Sequence, residues 1–123
     1  MQRTTTGATP TTIATGAANE DVAASYLHGR GYRIVERNFK TKLGELDIIA
    51  RDGAVLCFVE VRSRTTDLFG DAIETVDHVK RARVSRMAQV YLAWRKPEFE
   101  LARFDVLGIT GAHVTLIRDA WRL

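Results

Sequence analysis

A single cysteine, Cys57, stands in this 123-residue chain, so neither an intramolecular disulfide nor a cysteine zinc cluster can be built. The histidines lie far apart at 28, 78 and 113, which leaves no histidine metal motif and no HNH-type spacing. No apolar run approaches the ~18 residues of a membrane-spanning helix. A secretory signal needs an apolar run of roughly 7 to 15 residues after its basic start, and none is present, so a cytoplasmic location with no membrane contact is the expectation. Charge of one sign is scarce too: 18 Lys plus Arg against 15 Asp plus Glu leave a net +3, which permits nucleic-acid binding without establishing it. What remains is 46% hydrophobic and 27% charged, the composition of one soluble domain, long enough to bury roughly two-thirds of its unfolded surface.

The opening MQRTTTGATPTTIATGA has only Met1 and Ile13 as large apolar side chains and is predicted to be a disordered tail over residues 1–17. The folded unit is then 18–123. Asn19, followed by Glu20 and Asp21, signals a helix start, with Val22, Ala23, Tyr26 and Leu27 as its apolar face and Gly29 and Gly31 beyond its end. Strands are predicted over 32–39, 45–51 and 54–62, the last two joined at Asp52-Gly53, the strongest short hairpin signal. Asp77 can cap a long helix stopped by Pro97, with Val84, Met87, Ala88 and Tyr91 inward. Two strands, 101–109 and 113–118, close the chain around a turn from Gly108 to Gly111. The order αβββαββ implies a mixed five-stranded sheet flanked by helices, in the α/β or α+β class.

With Asp52 and Gly53 as the turn, Arg51 faces Ala54, Ile49 faces Leu56, Asp47 faces Phe58 and Glu45 faces Glu60. Residues two apart share a sheet face, so Glu45, Asp47, Glu60 and Arg62 project to one side. Phe58, Leu56 and Ile49 share that side and suit burial, which argues against merely solvated acids. Carboxylates crowded there need a cation, a proton or basic partners. Mg²⁺ suits Asp47 and Glu60, since it takes oxygen ligands and is held by one or two carboxylates plus phosphate; Mn²⁺ is the alternative. Such an ion can polarise a phosphodiester.

The segment Gly44-Glu45-Leu46-Asp47-Ile48-Ile49-Ala50, followed by Phe58-Val59-Glu60-Val61-Arg62-Ser63-Arg64, resembles the YraN-like family of small bacterial proteins. That family is similar to a branch of the PD-(D/E)xK nuclease superfamily, close to archaeal Holliday-junction resolvases. The resemblance extends over the 16–27 helix, Asn38, Lys80, the 88–92 segment and Arg103-Phe104-Asp105. It implies a restriction-endonuclease-like core and a Mg²⁺-dependent endonuclease acting on branched or single-stranded DNA, with no small-molecule substrate. It further implies a homodimer. Asp47 becomes the metal-binding aspartate, Glu60 the acid of the (D/E)xK tripeptide and Glu20 the acid of the first helix.

Arg62 departs from the pattern, which has lysine. Arginine keeps the charge and can clamp a phosphate, but is not deprotonated. Two readings follow: an active site in which Lys80 or Lys42 supplies the ammonium, or a nuclease-fold module that binds DNA or a protein partner without turnover, Arg62 neutralising the acids. Glu20 has its own second reading as a first-turn acid favoured by the helix dipole. Lys80, Arg81, Arg83 and Arg86 cluster on the second helix, while Arg30, Arg33, Arg37, Lys40 and Lys42 meet only Glu36. With Arg64, the residues Lys40, Lys42, Lys80, Arg81, Arg83 and Arg86 form the predicted phosphate-contacting surface; a solvated helix face is the plainer reading of such a run. Cys57 reads as core. Trp94 and Trp121 read as packing or dimer-contact aromatics.

Overall fold

The two amphipathic stripes and the strand alternation order the chain as β1 (Gln2–Gly7), α1 (Gly16–Gly29), β2 (Arg33–Thr41), β3 (Gly44–Asp52), β4 (Val55–Arg64), α2 (His78–Arg95), β5 (Leu101–Thr110) and β6 (His113–Trp121). This is seen in a computed structural model, which describes residues 2–7, 16–64, 78–111 and 113–122. The strands form one sheet in the order β1-β6-β5-β4-β3-β2. Only β4 and β5 run parallel. A parallel pair needs a crossover rather than a hairpin, and α2 lies in it.

The helices cover opposite faces. Ala23 and Leu27 of α1 pack with Tyr32, Ile48, Ala50, Cys57, Val59 and Leu107. On the other side Val84, Met87, Ala88 and Tyr91 of α2 pack with Phe39, Ile49, Leu56, Phe58 and Phe104. A sheet buried on both faces explains why β4 and β5 read as nearly continuous apolar runs. The expected α/β order, αβββαββ, and its five-stranded mixed sheet are present, and Cys57 is core as predicted. No helix among the described residues is long and apolar enough to cross a membrane.

Several local expectations are corrected. Gln2–Gly7, placed by its composition in a structureless tail, adds a sixth strand, paired with β6 from Gln2 opposite Arg118 to Gly7 opposite His113. An edge strand needs only backbone partners, which a β-prone threonine run supplies without an apolar face. Asn19 is not the helix cap, because α1 already starts at Gly16. Its side chain instead donates to Ser63 Oγ at 2.8 Å. Glu20 therefore falls beyond the first turn, where the helix-dipole reading loses its force. Gly108 lies inside β5, and the chain turns at Gly111 with φ 58°. The predicted Asp77 cap lies outside the described residues.

The β3–β4 register also differs. Asp52 pairs with Val55, so the turn is Gly53-Ala54 rather than Asp52-Gly53. Gly53 takes φ 60°, fitting a hairpin with glycine at the first central position. Asp52 is drawn instead into contacts with Arg103 and Arg118. Opposed pairs become Ile49 with Phe58 and Ile48 with Val59. The next step of that register sets Asp47 opposite Glu60, whereas an Asp52-Gly53 turn would set it opposite Phe58. Partners moved by two residues along one strand keep their faces, so Asp47 stays with Glu60, while Glu45, expected beside them, pairs with Lys40 instead.

Candidate functional site

Asp47 and Glu60 sit on adjacent strands in the middle of the hairpin, with Glu60 only 4% exposed. Asp47 Oδ2 accepts the Val61 backbone N–H at 2.8 Å. That bond fixes the carboxylate at the β3–β4 seam, where a side-chain hydrogen bond joins it to Glu60. Burial raises the Asp47 carboxyl above its ordinary value. Burial and the Asp47 charge push Glu60 up to about 7. Both shifts express the same fact: two acids have been taken out of water side by side.

Basic residues approach from the same face. Lys80 Nζ, from the first turn of α2, lies 3.1 Å from Glu60 Oε1. Arg62, two residues along β4, places Nη1 at 3.9 Å from that oxygen. Lys80 thus points inward as its spacing from Val84 and Met87 predicts. Glu45 is exposed and pairs with Lys40 at 3.7 Å. Lys42 is exposed at the tip of the β2–β3 turn, outside the acid pair.

Glu20 arrives from α1 on the other side of β3. Leu46 packs with the α2-side cluster although Ile48 packs on the α1 side. Strict alternation fails at this end of the strand, and Asp47 lies within electrostatic reach of both helices' charges. Burial and the Asp47 charge raise the Glu20 carboxyl, and the Asn38 side chain hydrogen-bonds it. Its Oε1 is buried with no hydrogen-bond partner. Asn19, tied to Ser63 at the end of β4, holds this part of α1 against the site. Asn19 is legible only as a helix cap and Ser63 only as part of the second hairpin motif; their tie, 44 residues apart in sequence, has no local signal.

Among the described residues, no group of three or more His, Cys, Asp or Glu side chains is gathered to hold a metal ion. The expected set of Glu20, Asp47 and Glu60 is thus an adjacent acid pair with a third acid behind it. Two carboxylates leave room for the waters and phosphate that Mg²⁺ prefers, and the orphaned Glu20 Oε1 is an acceptor suited to such a water. The donor set therefore fits a hard divalent cation.

The predicted phosphate-contacting residues divide. Arg83 and Arg86 are exposed on α2. Arg81 lies over the Trp121 ring, 5.4 Å from its centroid, and Trp121 stacks on Phe104 with centroids 4.6 Å apart while donating to Ser85. Trp94 meets Phe39 edge-on. The backbone of Arg64 lies opposite Thr110.

A second polar cluster lies on the α1 face toward the hairpin turn. Asp105, fully buried, accepts from the Tyr32 hydroxyl at 2.7 Å, Arg103 Nε at 3.0 Å and the Asp119 N–H at 2.8 Å. Arg103 also reaches Asp52 at 2.6 Å, where Arg118 joins it. Burial opposes the charge on Asp52, yet the two guanidinium groups hold its carboxyl below the usual range. Burial and the Asp105 charge push the nearby Cys57 thiol up to about 12. Arg103 and Asp105 two apart in an apolar strand were the available signal, since such residues share a face. The cluster ties β3, β5 and β6 to Tyr32, the residue before β2.

A family model described as "Uncharacterised protein family UPF0102" matches residues 19–109, a span that holds both hairpin acids, Glu20 and Lys80. A UPF0102 protein of Halorhodospira halophila is 46% identical over 107 residues, covering 87% of this chain and 86% of the relative. One from Ralstonia pickettii is 43% identical over 116 residues, covering 91% and 93%. One from Syntrophus aciditrophicus is 41% identical over 115 residues, covering 90% and 91%. With its acid pair and its helices inside the matched span, the chain belongs to the UPF0102 family, the YraN-like group that its hairpin motifs resemble.

Proposed function

We propose that the protein is a divalent-metal-dependent nuclease of the PD-(D/E)xK type acting on branched DNA, as a pair of identical subunits. The observation that carries this reading is half-buried Asp47 hydrogen-bonded to buried Glu60, with Lys80 Nζ 3.1 Å from Glu60. Asp47 and Glu60 would hold the ion, with Glu20 accepting from one of its waters. Bound Mg²⁺ or Mn²⁺ supplies Lewis acidity toward a phosphodiester and makes water a better nucleophile. Asp47 keeps its orientation through the Val61 N–H. Arg62, fixed in charge, grips a phosphate oxygen beside the acids. Lys80, whose Nζ stands 3.1 Å from Glu60, would position the attacking water. Arg83 and Arg86 on the exposed side of α2, with Lys40 and Lys42, bind the flanking backbone without reading bases.

Incubation of the purified chain with labelled four-way junctions, flaps and linear duplex in Mg²⁺ or Mn²⁺, beside Asp47→Asn, tests the proposal. Asparagine keeps an acceptor for the Val61 N–H, so the fold is retained while the charge is lost. Cleavage by the wild type alone is expected. No cleavage of any substrate, or cleavage that persists in Asp47→Asn, defeats the enzymatic reading. A second reading, a DNA-binding module without turnover, is favoured by one observation: Lys80 and Arg62 already stand beside Glu60 as counter-charges without an ion. It requires salt-sensitive binding that survives both EDTA and Asp47→Asn.

A further inference from the structure

We propose that Leu43 is a wedge that enters DNA where base stacking is already broken, at a branch point or nick, and so selects the substrate of the Asp47–Glu60 site. This inference rests on the reading of that site as one that engages the DNA backbone. The chain reverses at Lys42-Leu43, between Thr41 and Gly44, which pair across β2 and β3. Leu43 is 72% exposed, more than any other large hydrophobic residue among those described. A lone exposed leucine is ordinary on a protein surface; three features distinguish this one.

The turn is braced. Thr41 Oγ1 accepts the Leu43 N–H at 3.0 Å and lies 3.6 Å from Met87 Sδ. Gly44, at φ 144°, presses so closely on α2 that a Cβ there would stand 3.2 Å from Met87 Cγ. Leu43 is therefore held out on a supported tip. Cations also gather at the tip. Lys42 is in the turn itself, Lys40 lies three residues before Leu43 and shares its charge with Glu45, and Arg83 and Arg86 precede Met87, the residue on which the turn rests; all four are exposed. Phosphates drawn to these charges bring base pairs to the leucine. Lastly, the tip is at working distance from the acids. Four residues of strand separate Leu43 from Asp47, about 13 Å at roughly 3.3 Å per residue, or some four steps at about 3.4 Å per nucleotide.

Apolar side chains such as leucine act as wedges by parting adjacent base pairs, which costs free energy at every step unstacked. That cost is smallest where pairing or stacking has already failed. A single leucine without an aromatic platform is suited to an existing discontinuity more than to opening intact duplex. Junction preference follows from the tip, while the acids remain indifferent to sequence.

The test compares the full-length wild type with Leu43→Ala and Leu43→Met on a four-way junction and on linear duplex of the same length. EDTA is present, so that binding is read alone, and 2-aminopurine at the branch point reports unstacking. The wild type is expected to favour the junction and to raise 2-aminopurine fluorescence. Leu43→Ala is expected to lose about tenfold of that preference and the fluorescence rise, with duplex affinity unchanged. Leu43→Met, which keeps the apolar reach, should retain both. A wild type without junction preference, or a preference undiminished in Leu43→Ala, overturns the wedge and leaves the backbone-binding reading standing. Failure of the wild type to bind either DNA removes that reading, and the wedge with it.

Discussion

Replacing Glu60 by Gln isolates the electrostatic strain of the acid pair. In the wild type, burial and the Asp47 charge lift the Glu60 carboxyl from an ordinary 4.5 to about 7. Between those values the folded chain holds a proton that the unfolded chain has lost, so stability declines as pH rises through the window. The decline is complete above the folded value. At about 1.4 kcal/mol per unit it amounts to about 3 kcal/mol, a large part of a total stability of about 5–15 kcal/mol. Glutamine preserves the shape, offers its oxygen to Lys80 and its amide to Asp47, and does not titrate. Urea unfolding in EDTA at about pH 4, 6 and 8, followed by tryptophan fluorescence, gives the stability difference between the two proteins. Any fixed effect of the amide cancels in the change of that difference with pH. Glu60→Gln should gain on the wild type by about 3 kcal/mol from the lowest to the highest pH. A difference that stays flat, or moves toward the wild type as pH rises, would refute the account of a buried Glu60 held beside a second acid. Excess Mg²⁺ should flatten the wild-type pH dependence and leave the variant unchanged.

Asp105→Asn weakens the partner of three donors at once, Tyr32, Arg103 and the Asp119 N–H, and leaves a buried guanidinium short of charge; a loss of about 3–5 kcal/mol in urea unfolding is expected, and a loss below ~1 kcal/mol would contradict the buried-network reading. On the proposed DNA-binding reading, Arg83→Glu combined with Arg86→Glu should weaken duplex binding and reduce the slope of log affinity against log salt by about 0.9 for each phosphate no longer neutralised; an unchanged slope removes these residues from the proposed surface. The Cys57 thiol, buried with a titration point pushed up to about 12, should react with a disulfide reagent only as fast as the fold opens, so labelling at native rates equal to those in urea would be inconsistent with its position.

The grouping of acids was legible in the sequence because it depends on the parity of strand register. The turn sits one residue later than the Asp52-Gly53 signal places it, yet Glu60 and Asp47 still come together, joined by a side-chain hydrogen bond just beyond the last paired residues, Ile48 and Val59. Lys80 was legible for a similar reason, since its spacing from Val84 and Met87 repeats the helical period. What escaped depends on tertiary partners. Asn19 has every local property of a cap, but Ser63, distant in sequence, claims its side chain. Gln2–Gly7 lacks an apolar face, and its place is set by the open edge of β6. Asp52 looked like a turn residue because nothing near it in sequence announces Arg103 and Arg118. Local pattern fixes which way a side chain points, while long-range charge pairing decides which local pattern survives.

The parallel β4–β5 pair gives the site a history during folding. β2, β3 and β4 follow one another as hairpins, so Asp47 and Glu60 belong to a segment whose contacts are short-range. Joining β5 to β4 requires the chain to travel from Arg64 through α2 to Leu101, and such distant contacts form slowly. The acids therefore meet first, in a meander still open to water, and Lys80 reaches Glu60 only when α2 docks. On this order Lys80→Met is expected to accelerate unfolding and leave the folding rate nearly unchanged in stopped-flow urea measurements; a slowed folding limb would place the Lys80 contact in the transition state instead. The same docking that buries the acids brings the cation that makes their burial tolerable.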